Sequence, residues 1–129
     1  MRKIYVVMFL LVLTLTACGP KKVTLNVTIN NQGYDSSTYT VPAGAEVTVN
    51  MINNSPGSHI FGILKLGEHV TPPYNSTKDK DKIMWELIVQ AEDTTSGTFT
   101  APTEPGEYDI ICRILGHIQY GMVATLIVE

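Results

Sequence analysis

Toward its end the chain reads Cys112-Arg113-Ile114-Leu115-Gly116-His117-Ile118-Gln119-Tyr120-Gly121-Met122, which sets a thiol, an imidazole and a thioether along one short loop. Thiolate, neutral imidazole and a weak thioether together suit copper, and a His₂Cys set with a long axial Met is an electron-transfer site. The loop carries three of those four side chains, so a second His must come from elsewhere. The chain has three histidines. His59 stands where a loop of turn formers, Asn53-Asn54-Ser55-Pro56-Gly57-Ser58, enters an apolar run, a position that can face the same pole as His117. His69 follows Glu68 in a polar stretch and reads as an exposed surface residue.

The elements that must hold these groups are strands. In Glu107–Cys112 the residues Tyr108, Ile110 and Cys112 share one face; after the loop, Met122, Ala124, Leu126 and Val128 share another, with Val123, Thr125 and Ile127 opposite. The loop therefore hangs between two strand ends. Upstream, Val23–Ile29 and Glu46–Asn53 alternate apolar and polar residues, Thr38–Val41 and Thr98–Thr100 are short extended pieces, and His59–Leu64 is an apolar run. Seven or so short strands with turn signals between them predict an all-β, antiparallel β-sandwich. Leu66–Lys82, with Pro72-Pro73 and alternating Lys and Asp, is a long solvated excursion, a longer loop or a short helix. Ile83–Val89 is apolar and includes Trp85, read as core; its periodicity does not decide between helix and strand.

Residues 1–17 carry Arg2 and Lys3, an apolar run from Ile4 to Leu15 and small residues up to Cys18, the pattern of a secretory signal. Leu15-Thr16-Ala17-Cys18-Gly19 resembles the bacterial lipobox, in which the Cys is lipidated after cleavage. The expected product is a domain over 23–129 on a tether, 18–22, anchored by Cys18 to the extracytoplasmic face of the cell membrane. With Cys18 lipidated, Cys112 is the single free thiol in an oxidising compartment, which calls for a partner that occupies it. Losing Arg2 and Lys3 leaves seven basic residues against twelve acidic ones, a formal charge of −5. No basic stripe is present, so nucleic acid is not an expected partner.

The chain resembles the cupredoxins, the small blue-copper electron carriers. The resemblance rests on Val41-Pro42-Ala43-Gly44, Asn53-Asn54…His59, Phe99-Thr100-Ala101-Pro102…Pro105-Gly106-Glu107-Tyr108 and Cys112…Gly116-His117…Gly121-Met122, in family order. Four residues on each side of His117 make the loop most similar to the sulfocyanin and rusticyanin branch. The resemblance implies a Greek-key sandwich with one copper per chain. It implies His59, Cys112 and His117 as equatorial ligands, Met122 as the weak axial one, and Ile60, Ile114 and Gly116 around them, the Ile114 amide facing the sulfur. It implies that electrons enter at the edge of His117 through an apolar patch supplied by Ile114, Leu115, Ile118 and Tyr120. It further implies redox proteins such as cytochromes or a terminal oxidase as partners; a monomer is the default. Two positions depart from the pattern: Ile60 stands where many relatives carry Asn or Ser, and Leu115 where many carry Pro.

The expected function is thus single-electron transfer by a membrane-tethered, non-enzymatic carrier. A copper chaperone or storage protein would favour open Met-rich or paired-Cys sites, and Met51 and Met84 form no run. An open red-copper enzyme of the nitrosocyanin type would replace the axial Met by a carboxylate and water, against which Met122 speaks. A metal-free structural module is at odds with four ligand types in register.

Overall fold

The structure is a computed structural model that describes residues 19–129; the expected signal segment 1–17 and the expected lipidation site Cys18 lie outside the described residues. Among the described residues nine strands are formed: β1 (Lys22–Asn30), β2 (Gly33–Tyr34), β3 (Thr38–Val41), β4 (Glu46–Asn53), β5 (His59–Leu64), β6 (Ile83–Val89), β7 (Thr94–Thr100), β8 (Gly106–Ile111) and β9 (Val123–Val128). They make a four-stranded sheet in the order β2-β1-β4-β7 and a five-stranded sheet in the order β3-β9-β8-β5-β6.

Alternation in sequence becomes two inner faces. Val27 and Ile29 of β1, Val47, Val49 and Met51 of β4 and Phe99 of β7 are buried from one sheet. Tyr39, Val41, Phe61, Ile63, Tyr108, Ile110, Ala124, Leu126 and Val128 meet them from the other. β5, which lies between β8 and β6, is buried at every position and so on both faces, which is why it reads as an apolar run without alternation.

The sandwich is as the strand pattern predicts, but the sheets are mixed rather than antiparallel. β1 runs parallel to β4, and β3 runs parallel to β9. Side-chain alternation has the same period in both kinds of ladder and does not distinguish them. The chain reaches β4 from β1 only after β3 has joined the other sheet, and that crossing sets the direction.

Residues 83–89 are a strand, β6, antiparallel to β5. Trp85 packs against the core from there, its ring 4.9 Å from that of Phe99. Within the excursion a one-turn helix α1 (Ser76–Asp79) forms, capped by Asn75, whose side chain accepts from the amides of Thr77 and Lys78.

These directions place the loops. β1 and β4 end, β5 and β9 begin, and β8 ends at one pole. The turn after β1, the loop 53–59 and the loop 112–122 therefore gather there.

Candidate metal centre

The loop 112–122 is wound tightly. Cys112 N–H donates to the Met122 carbonyl at 3.2 Å, closing the loop at its two ends. Inside it, His117 N–H reaches Ile114 O (3.0 Å), Tyr120 N–H reaches Gly116 O (3.0 Å), Gly121 N–H reaches Ile118 O (3.0 Å), and Met122 N–H reaches His117 O (2.9 Å). Gly116 and Gly121 take φ of +89° and +86°, left-handed conformations that these successive turns require and that side chains disfavour. The Cys112 and Met122 side chains are thereby turned inward off the ends of β8 and β9, and both are buried.

His59 comes from the start of β5 and meets them. The ligand atoms of His59, Cys112 and His117 all lie within 4.8 Å of one another, and no other such cluster exists among the described residues. Cys112 Sγ is 3.3 Å from His117 Nδ1, and His59 Nδ1 is 3.1 Å from Met122 Sδ. The two imidazoles stand 5.0 Å apart at 46°. His59 is buried and His117 only half-buried, so one imidazole is sealed in and the other has an edge at the surface.

A backbone amide addresses the sulfur: Ile60 N–H donates to Cys112 Sγ at 3.3 Å, with the Ile114 amide close enough to favour the thiolate. Burial pushes the Cys112 thiol up, with these two amides and Arg113 pulling the other way, so without a metal the sulfur keeps its proton at neutral pH. Burial, and then the neighbouring His117, push the His59 imidazole down, leaving it neutral and free to donate a lone pair. The donor set fits copper: two imidazole nitrogens, a buried thiol beside amide donors, and a thioether converge without a carboxylate among them.

Around the cluster the structure adds what the sequence reading missed. Ser55 Oγ lies 2.7 Å from His59 Nε2 and is itself held by Asn53. Tyr34 Oη–H donates to the Ile60 carbonyl. The turn 30–33 walls a cavity of about 250 Å³ that opens onto His59, His117 and Met122; no charged side chain lines it. Asn53 was signalled: it continues the buried phase of Val47, Val49 and Met51, and a polar residue in that phase must find partners. Ser55 and Tyr34 carried no such signal, because their partners are set by the fold.

The remaining expected positions fall as follows. Leu115 is 82% exposed and Tyr120 89%, while Ile114 and Ile118 are half-buried. Leu115, at the position where the family resemblance implies proline, thus stands largely in solvent. His69 is exposed and pairs with Asp109 at 2.6 Å, away from the ligand cluster. Arg113, the residue after the Cys, is clamped in a two-pronged pair with Glu86 at 2.7 and 2.8 Å, which ties the start of the loop to β6.

A family model described as a cupredoxin-like domain matches residues 3–128. Comparison with curated protein sequences finds no match. Among solved structures, the fold is similar to auracyanin from the photosynthetic bacterium Roseiflexus castenholzii, at 25% identity over 86% of this chain and 99% of that one, TM-score 0.72. It is similar to auracyanin A, a "blue" copper protein of Chloroflexus aurantiacus, at 30% identity over 84% of this chain and 99% of that one, TM-score 0.67. It is also similar to rusticyanin of Thiobacillus ferrooxidans, at 25% identity over 86% of this chain and 79% of that one, TM-score 0.64.

Proposed function

The chain belongs to the cupredoxin-like family, and we propose that it is a blue copper protein which carries single electrons between redox partners outside the cytoplasm. The observation that carries this reading is the convergence of His59, Cys112 and His117, with Met122 Sδ 3.1 Å from the His59 ring, at the pole of a rigid sandwich. One copper per chain, held by these residues, supplies a one-electron couple between Cu(II) and Cu(I). The protein's part is to keep four side chains in one arrangement through both states. Three come from a loop closed on itself and the fourth from a strand buried on both faces, so little has to move when an electron arrives. His117, half-exposed beside Leu115 and Tyr120, is the edge through which it passes. The exposed Leu115 and Tyr120 side chains fit a brief encounter with an apolar partner face.

In this reading the protein is a carrier and not an enzyme. It is held at the membrane by a lipid on Cys18, which the lipobox-like junction supports, and its partners are cytochromes or a terminal oxidase. The test is a redox cycle: the copper-loaded chain should be bleached by a one-electron reductant and restored by an oxidant, repeatedly and without loss of metal. A visible spectrum displaced by added azide would show an open coordination position and overturn the carrier reading.

A further inference from the structure

His59 is the ligand farthest in sequence from the others, and its ring is the one the loop 112–122 does not position. The hydrogen bonds on its far side show what does. Asn53 Nδ2 donates to two carbonyls, Gly57 O at 2.7 Å and Gln90 O at 2.8 Å. Both of its protons are used, which fixes the amide so that Oδ1 is the acceptor facing Ser55. That oxygen receives the Ser55 backbone N–H at 3.0 Å and lies 2.8 Å from Ser55 Oγ. Ser55 Oγ also has Gly57 O at 3.1 Å and His59 Nε2 at 2.7 Å. Asn53, Ser55 and His59 are all buried, so water does not make up for a missing partner.

A serine hydroxyl has one proton. Were it given to His59 Nε2, lone pairs of Ser55 Oγ would face the Asn53 and Gly57 oxygens across 2.8 and 3.1 Å with no proton between them. Given to Asn53, it leaves Oγ as an acceptor, and His59 Nε2 must then be the donor. The ring keeps its proton on Nε2 and its lone pair on Nδ1, the atom 3.1 Å from Met122 Sδ and inside the ligand cluster. We propose that Ser55, oriented by Asn53, is the positioning residue of this site: it fixes the tautomer and direction of His59 so that Nδ1 is presented to copper before the metal arrives.

The backbone holds the relay in place. Asn53 N–H donates to Asp93 O at 2.9 Å, Asn54 N–H to Ile29 O at 2.9 Å, and Ser55 O accepts from Glu92 N–H at 3.1 Å. The loop 53–59 is therefore pinned to β1 and to the segment after β6. Partners that donate or accept at the outer nitrogen of a ligating histidine set its orientation and basicity, and losing one typically weakens metal binding about 10- to 100-fold.

The proposal rests on the copper reading, and its test separates the two. The tautomer of His59 is read by ¹⁵N NMR on the metal-free chain above the ordinary histidine range, and Cu(II) affinity is measured by competition with a chelator. Wild type should show a proton on Nε2. Ser55→Ala should give a mixed tautomer and an affinity lower by about 10- to 100-fold, while Ser55→Thr, which keeps the hydroxyl, should restore both. Unchanged tautomer and affinity in Ser55→Ala overturn the role given to Ser55 and leave the copper reading standing. Should wild type take up no copper, the carrier reading falls, and the tautomer shift alone decides for or against Ser55.

Discussion

Replacing Tyr34 by Phe removes one oxygen from a site that is otherwise unchanged, and its consequence can be worked from the structure. Phe retains the ring, whose edge packs on Phe61 with centroids 5.5 Å apart. What is lost is the donor to the Ile60 carbonyl. Burial raises the Tyr34 hydroxyl well above its ordinary value, so it stays a donor at every working pH and the effect should not depend on pH. Stranding a buried acceptor costs about 1–3 kcal/mol, roughly 5- to 150-fold in the folding equilibrium at 1.4 kcal/mol per decade. At about 4 °C per kcal/mol for a domain of this size, Tm should fall by roughly 4–12 °C. The same residue 60 donates its N–H to Cys112 Sγ at 3.3 Å. A donor on sulfur withdraws electron density and favours the reduced metal, so loosening residue 60 should lower the reduction potential while copper is retained. The assay is thermal melting of the metal-free chain beside voltammetry of the copper-loaded one. A Tm unchanged within about 1 °C, together with an unchanged potential, would refute the claim that this hydroxyl holds residue 60 beneath the sulfur.

Three further outcomes are expected. Gly97→Ala places a Cβ 2.9 Å from Leu87 Cδ1 and 3.1 Å from Trp85 Cζ2; Leu87 can rotate but Trp85 is stacked on Phe99. That overpacking should cost about 1–3 kcal/mol in denaturant unfolding without altering the copper spectrum. His69→Ala should also leave the spectrum unchanged, since His69 pairs with Asp109 outside the cluster; a lost or shifted band would overturn the ligand set. The Asp79 carboxylate accepts from Asn75 N–H at 2.8 Å and pairs with Lys82 at 3.0 Å, which together hold its pKa below the ordinary value. The folded state then binds that proton less readily than the unfolded one, so its stabilisation is present above the ordinary carboxylate value and lost as pH falls through the lower folded value. In acid unfolding monitored by circular dichroism, Asp79→Asn should be less stable than wild type near neutrality and should lose less as the pH drops below about 4.

The candidate ligands were legible to the degree that they were local. Cys112, His117 and Met122 lie in one loop between two alternating strands, and their spacing alone implies convergence. His59 needed only the inference that a turn-rich loop opening an apolar strand can face the same pole. The parallel pairings of β1 with β4 and β3 with β9 were not legible, because a side chain's face does not reveal its strand's direction. β6 was undecided because most of its residues are only half-buried on both faces, which erases the period-two signal. α1 was legible only as a choice between a longer loop and a short helix, because its organising residue, the Asn75 cap, stands beside a run of charges. Ile60, a departure from the family pattern, illustrates the limit best. Its side chain offers no tie between the loops, yet its backbone reaches Cys112, Tyr34 holds its carbonyl, and Ser55 with Asn53 secures the neighbouring His59. Those bonds span up to 52 residues and exist only once the sandwich has closed.

The central claim is that His59, Cys112, His117 and Met122 hold one copper in a closed electron-transfer site. Visible absorption and EPR of the Cu(II)-loaded chain test it most directly. One copper per chain, an intense thiolate-to-copper band that gives a blue colour, and narrow hyperfine splitting are expected, the band and its narrow splitting abolished by Cys112→Ser. A weak band with wide splitting, or a colour that survives Cys112→Ser, would contradict it.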